Sequence, residues 1–404
     1  MPDRAYDIVL HGATGFVGRL VGAHLAEHAG TARVALSGRS EQRLKAVRDE
    51  LGVDWPLLVT DATDRPSVAT LAGSAGVVAT TVGPYGKYGL PLVEACAEAG
   101  TAYCDLSGET LFVRDSADTA HRLARSTGAR IVHSAGFDSV PSDLGVLMLH
   151  QQVQADGEGT LGQTALMLVS VRGGLSGGTV DSIRTELAAV GADPSRRGIL
   201  GDPYALSPDR AADPSGADEK DPVLPAHDPL LDRWVAPYPF GPHDSRIVRR
   251  SNALLGHAHG PGFRYREHLA VGGGPVAPVV AGMVSAGLAA FLLGMQTGPT
   301  RALLDRVLPA PGDGPSERTR RSGHFRVELH TVTSTGARYV ATVGAKGDPG
   351  YAATAVMFGQ SALCLALDPL DGPGGVLTPA AALGSHLVRR LRERGFEMSV
   401  TRRA

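Results

Sequence analysis

Cysteine is scarce in this 404-residue chain, and Cys96, Cys104 and Cys364 show neither a CxxC motif nor any paired spacing. That excludes a disulfide framework and a cysteine-held zinc, and it predicts reduced, buried thiols in a cytoplasmic protein. Aromatics are few, at 5% with two tryptophans, and neither sign of charge dominates, the net charge being -2. With no basic excess there is no electrostatic reason to expect nucleic acid as a partner. His257 and His259 form an HxH without a third ligand at metal spacing, so they are read as loop or surface histidines and no metal is expected. No secretory leader precedes Ile8, where the chain goes straight into an apolar run. Leu269 to Met295 carries no charged residue and is long enough to span a bilayer on length alone, but Gly272–Gly274, Pro275 and Pro278 interrupt it. What remains, 43% hydrophobic and 20% charged residues, is an ordinary globular composition with enough chain for two domains.

The first thing present is an opening that reads YDIVLHGATGFVG from Tyr6 to Gly18. Ile8, Val9 and Leu10 make a short strand, three glycines follow, and Leu20, Val21 and Leu25 recur at helical spacing. Strand, glycine turn and helix in that order are what a dinucleotide-binding fold requires. Gly12 permits the sharp turn, Gly15 lets backbone approach a pyrophosphate, and Gly18 lets the helix pack on the strand. Ala13, Thr14, Phe16 and Val17 complete the turn, whose free N–H groups would face the phosphates. In this fold the residue about 20 positions further on selects the cofactor, an acidic one favouring NAD. Here Ser37, Gly38 and Arg39 stand at the end of the second strand, with Arg43 one helical turn on. A guanidinium binds a 2′-phosphate through charge-assisted hydrogen bonds, so NADPH is predicted; a solvated arginine at a helix start is the plain alternative. Asp61 and Ala62 fall at the end of the third strand, facing the adenine edge. Val82, Gly83, Pro84 and Tyr85 close the fourth strand and should border the nicotinamide.

After the sixth strand comes SAGFDSVPSDLG, where Asp138, Ser139 and Asp143 crowd another carboxyl-end loop. Such groups are site candidates, with helix N-capping the competing role for Ser142 and Asp143. Tyr85 is named first as proton donor, with Asp138 and Ser139 as orienting or relay groups. Beyond residue 150 the pattern changes. A strand over Ala165 to Val171 leads into GGLSGGTVDS and a helix, and Ser176, Gly177, Gly178, Thr179 and Ser182 are taken as substrate contacts. Gly174 to Gly178 also spells the G-x-S-x-G of hydrolases, which is rejected because such enzymes do not open with a phosphate-binding turn. Asp193 to Asp244 lacks periodicity and reads as a lid or binding loop. Leu269 to Met295 is favoured as a buried or tunnel-lining helix, with peripheral membrane or lipid contact as the alternative. Phe325 to Thr333 and Ala337 to Lys346 form a hairpin, whose open edge suggests a homodimer. The arginines at 389, 390, 392 and 394 are read as a solvated helix end.

These segments together resemble the saccharopine dehydrogenase-like oxidoreductases, and within them the branch called trans-acting enoyl reductases in actinobacteria. The resemblance rests on GATGFVG at Gly12, SGR at Ser37, VGPYGKYG at Val82, YCDLSGE at Tyr103 and GFDSVPSDLG at Gly136. It continues through SGGTVDS at Ser176, VRRSNALLG at Val248, PAPGDGPSERTRRSG at Pro309 and GGVLTPAAALG at Gly374. It implies an α/β protein: a Rossmann domain, doubly wound on a parallel sheet, over 1–148, and a second α/β (α+β) domain with a mostly antiparallel open sheet over 149–372. The C-terminal helix and strand, 373–404, would pack back on the Rossmann domain. It further implies NADPH-dependent reduction of a double bond in a lipid-like or polyketide-derived acyl substrate carried by a partner protein. A saccharopine-type C=N reductase would instead need buried arginines for a zwitterion, and no arginine constellation for that is evident in the sequence. A non-catalytic NADPH-binding protein on lipid surfaces is the third reading.

Overall fold

The computed structural model describes residues 4–174, 176–214, 219–296, 298–304, 306, 308 and 314–403. Leu175, inside the Gly174 to Gly178 pattern, and the first five residues of the PAPGDGPSERTRRSG block lie outside the described residues. The strands, in chain order, are β1 (Tyr6–His11), β2 (Val34–Gly38), β3 (Leu57–Val59), β4 (Ala75–Thr80), β5 (Ala102–Cys104) and β6 (Arg130–Val132). Then come β7 (Leu161–Arg172), β8 (Ala226–Asp228), β9 (Arg233–Pro237), β10 (Arg264–Gly272), β11 (His324–Thr333), β12 (Arg338–Lys346), β13 (Gly375–Leu377) and β14 (Glu397–Arg403).

The first sheet runs β13-β6-β5-β4-β1-β2-β3, every pairing parallel. Its strands are apolar on both sides because both faces are covered. Ile8 and Leu10 pack with Val21, Leu25 and Leu44 on one face, while Val9 packs with Val68, Leu71 and Val93 on the other. The order reverses between β1 and β4, and the crevice outside the carboxyl ends at that reversal is where such sheets bind ligands.

The second sheet runs β14-β12-β11-β7-β10-β9-β8, antiparallel apart from the β7–β10 pair. The helix Val140–Ala155 lies between the sheets, and a Cβ at Gly145 would come within 2.6 Å of the Leu329 side chain on β11. The two sheets therefore share one core, in which Leu144 and Val146 join Ile8 and Leu10 to Phe325, Val327 and Leu329.

Several expectations change. The hairpin β11–β12 is flanked by β7 on one side and β14 on the other, so it offers no open edge, and the argument for a homodimer from that edge falls. From the C-terminal segment β13 extends the first sheet, whereas β14 pairs with β12 in the second sheet instead of the Rossmann domain. His259 is not a surface histidine: it is buried against Phe263, ring centroids 4.9 Å apart. The uncharged segment forms the helix Ala277–Gln296, but Ala277, Ala281 and Met295 are its only buried residues, so it is neither buried nor tunnel-lining.

Candidate active site at the carboxyl edge of the first sheet

Each glycine of the opening turn has a distinct steric reason. Gly12 has φ +86, and a Cβ there would fall 2.7 Å from Thr81 Oγ1. A Cβ at Gly18 would sit 2.2 Å from the Gly12 carbonyl, so the helix Phe16–His28 crosses the strand end with no room for a side chain. Gly15 differs, since it is exposed and its Cβ would meet only the Gly12 carbonyl at 3.4 Å. It is also the helix N-cap, with no side-chain cap and no acidic residue in the first turn. A helix start left open in this way, behind an exposed glycine, fits a pyrophosphate. Ala13 is buried beneath the turn, and Thr14 and Val17 are half-buried at its rim.

Ser37 proves to be a support for this turn. Its hydroxyl lies 3.0 Å from His11 Nδ1, and its carbonyl accepts from Gly12 N (2.9 Å) and Ala13 N (3.2 Å). Burial pushes His11 down to about 4, so this buried pair is neutral. Beyond it Gly38 is buried, while Arg39 and Arg43 are both exposed, as a 2′-phosphate site requires. Asp61 is exposed and accepts from Thr63 N and Oγ1, at 2.9 and 2.8 Å, bonds that hold its carboxyl below the ordinary range. Ala62 is buried beside it.

On the nicotinamide side, Val82 and Pro84 are half-buried and Gly83 is exposed. Tyr85 departs from its assignment. Its phenol donates to the Thr80 carbonyl (3.2 Å), accepts from Leu106 N (3.2 Å), and the ring stacks on Phe112. Burial drives this hydroxyl well above its ordinary value, so it holds its proton and braces two strand ends. Proton donation by Tyr85 is therefore withdrawn.

The sequence reading passed over Glu109. Only 1% exposed, it accepts from Tyr85 N (2.9 Å) and Gly86 N (2.7 Å), closing the helix Tyr85–Ala99, and from Ser182 Oγ of the second domain (2.7 Å). Glu186 does the same from the other side, accepting from Leu111 N at 2.9 Å at the start of the helix Thr110–Thr127. The second-domain helix Gly177–Ala192 thus lies across two helix starts of the first domain. Behind them Asp105 accepts from His133 Nδ1 (2.7 Å), Tyr103 OH (2.9 Å) and the N–H groups of Ser107 and Ser134. His243, pushed down to about 3 by burial, bridges Ser134 Oγ (2.9 Å) and Thr110 Oγ1 (3.1 Å).

Asp138 and Ser139 share this edge but not one role. The Ser139 hydroxyl donates to Asp244 (3.0 Å), a fully buried carboxyl close to Glu267, and burial of that pair raises both. Asp143 caps another helix altogether, accepting from Ala380 N at 2.7 Å. Asp138 alone of these is not fully buried, though most of it is covered; its carboxyl reaches Gly108 in the β5 loop, and burial raises it to about 6. A carboxyl raised this far keeps its proton in mildly acidic solution and a minor share of it at neutrality, and such a group can serve as a general acid.

Of the substrate candidates, Ser176 is the N-cap of its helix, accepting from Thr179 N (3.0 Å), with its hydroxyl 2.9 Å from Thr179 Oγ1. That use rules it out as a hydrolase nucleophile. Gly177 N donates to Tyr351 OH (3.3 Å), while Gly178 is exposed in the first turn of the helix. Three buried arginines also escaped the sequence reading: Arg246, Arg249 and Arg250, on the helix Gly241–Leu254. Each donates to the irregular segment before the helix, and two of them also to later strands. Arg246 donates to Asp202 O and Asp221, Arg249 to Pro203 O and Tyr265 O, Arg250 to Leu206 O and Val376 O. The run VRRS already held the signal, but not its direction.

The second domain also grips the phosphate turn. Phe16 meets Tyr351 edge to face at 5.0 Å and lies under the Arg320 guanidinium at 5.1 Å, and a Cβ at Gly314 would clash with its ring.

Residues 8–132 match the saccharopine dehydrogenase NADP binding domain. A Mycobacterium tuberculosis protein named provisionally as a trans-acting enoyl reductase is 48% identical over 416 residues, 99% of each chain. The trans-acting enoyl reductases of Mycobacterium ulcerans and Mycobacterium bovis are each 46% identical over 414 residues, again 99% of each chain. The apo saccharopine dehydrogenase (L-Glu forming) from Saccharomyces cerevisiae aligns with TM-score 0.51 and 15% identity over 98% of this chain and 99% of that one. At that identity it speaks for the fold alone.

Proposed function

Because the chain belongs to the trans-acting enoyl reductases of the saccharopine dehydrogenase-like oxidoreductases, we propose that it reduces the C=C bond of a lipid-like or polyketide-derived enoyl thioester with NADPH. NADPH, when bound, would supply hydride chemistry. The open helix start at Gly15 would hold its pyrophosphate and Arg39 and Arg43 its 2′-phosphate, while Asp138 would give a proton to the α-carbon as hydride is delivered to the β-carbon. One hydride and one proton add across the double bond, leaving the saturated thioester and NADP⁺.

The observation that carries this reading is Asp138, the one carboxyl of the loop that is not fully buried, raised to about 6. The three buried arginines support a neutral acyl substrate. A C=N reductase for amino acids must pair guanidinium groups with substrate carboxylates, and these three are already committed to main-chain carbonyls and Asp221.

The test is NADPH oxidation against a panel of enoyl thioesters, free and on a carrier protein, beside 2-oxo acids with amines. Turnover of enoyl thioesters is expected. Turnover confined to the oxo acid and amine pairs would overturn the C=C assignment. Failure to bind NADPH at micromolar levels would remove the reductase reading.

A further inference from the structure

We propose that the helix Ala277–Gln296 is a docking element that lies along a lipid membrane surface. From residue 269 to 300 there is no charged side chain, and the helix has mean hydropathy 1.9 with 11% of that window buried. Val279, Met283 and Leu293 are each 63% exposed, and Leu303 on the following short helix is 62% exposed. At about 3.6 residues per turn the exposed positions of the helix wind around well over half its circumference. That width decides between occupants. A second protein helix covers one apolar stripe, whereas a helix apolar nearly all round is stable only inside a core or in contact with hydrocarbon.

Topology says the helix rests on one face of the bilayer instead of crossing it. It leaves β10, which runs parallel to β7, with Leu269 opposite Leu168. The chain comes back to β11, whose first residue, His324, pairs with Arg172 at the same end of β7. On the return leg Thr300 Oγ1 donates to Gly294 O (2.6 Å), folding the short helix Gly298–Leu304 back on the long one. Arg301 and Arg306, both exposed, follow directly and stand where headgroup phosphates would lie beside a helix sunk to the acyl boundary. The helix Gly177–Ala192, whose Ser182 donates to Glu109 of the candidate site, follows β7 at this same end, so the apolar helix and the candidate site are reached from one end of the second sheet.

The test uses the full chain with phosphatidylcholine vesicles, with and without phosphatidylglycerol, read by flotation. The chain is expected to float with both and more strongly with the anionic ones. The triple variant Val279→Asp, Met283→Asp, Leu293→Asp should lose about 100-fold or more in partitioning. It should keep its NADPH affinity, which separates this inference from the reductase reading. Arg301→Ala with Arg306→Ala should remove only the anionic preference. Failure of the native chain to float, or flotation of the triple variant as strong as native, would sink the proposal. So would a stable dimer that the triple variant dissociates and that vesicles do not compete away, which would make a second copy the occupant.

Discussion

Arg39 stands exposed at the end of β2 with Asp61 near enough that the arginine helps lower its carboxyl. Replacing it by Asp removes a cation and adds an anion where the 2′-phosphate must sit. Arg39→Asp should weaken NADPH on the order of 100-fold and spare NADH, as read by titration of nucleotide fluorescence. Unchanged NADPH affinity would remove the cofactor assignment. On the proposal that Asp138 is the proton donor it acts in its protonated form, so with its carboxyl at about 6, kcat/KM should decline as pH rises above that value. Asp138→Asn should cost about 100-fold or more in turnover, flatten the profile and leave NADPH binding intact. A full-rate Asn variant would exclude Asp138 as the donor. Tyr85→Phe carries the opposite expectation, because its phenol braces Thr80 O and Leu106 N. It should lower stability by about 1 kcal/mol and change turnover less than tenfold. The type of residue and its place in the loop were legible for both, since GPYG and GFDS follow predicted strands. Which one keeps a dissociable proton depends on neighbours from β4, β5 and the helix Val140–Ala155.

Among the elements, the helix Gly241–Leu254 shows how a motif can be visible and still misjudged. The block VRRSNALLG stands out in the sequence, and arginines on such a helix would ordinarily be solvated. Burial is possible only because the preceding segment wraps back and offers its carbonyls, among them Asp202 O, Pro203 O and Leu206 O. Arg250 also holds Val376 O on β13, tying that segment to the first sheet (2.7 Å). Arg250→Ala should therefore destabilise the fold by about 3 kcal/mol or more, read by urea denaturation. A loss below 1 kcal/mol would mean the guanidinium is replaceable by water there, at the usual net worth of about one hydrogen bond. The helix Ala277–Gln296 is the converse case. Its lack of charge was evident, but composition cannot say whether the apolar surface meets protein or not.

At the scale of the whole molecule, two sets of buried groups set the pH range of stability in opposite directions. Burial raises Asp143, Glu186 and Glu267 to about 7, so the folded state favours their protonated forms. Their contribution is complete below the ordinary values of 3.8 and 4.5 and is lost as pH rises to about 7. Burial depresses His11 to about 4 and His24, His243 and His259 to about 3. The folded state keeps these neutral, so their contribution is lost as pH falls below the ordinary 6.5. Thermal unfolding should show a plateau in mildly acidic buffer with a fall through neutrality and another in stronger acid. Asp143→Asn should be least damaging, relative to the native chain, at the alkaline end. A melting temperature that climbs steadily through neutrality would contradict this balance.

The amino-terminal half of the architecture was readable because its determinants are local. A turn that must pass a carbonyl at 2.2 Å requires glycine at Gly18, and a strand buried on both faces must be apolar throughout. The alternation of β11 and β12 and the capping Thr378 with Pro379 are likewise written in neighbouring residues. What lay beyond reach depends on partners far apart in the chain: Glu109 meeting Ser182, Asp143 capping Ala380, Arg250 holding Val376, Phe16 gripped by Tyr351 and Arg320. A side chain's conformational preference is set by its neighbours in sequence, so the glycine turn between β1 and its helix was determined by the chain's own order. Its proton affinity and exposure are set by whatever packs against it, and only the meeting of the two sheets decided those.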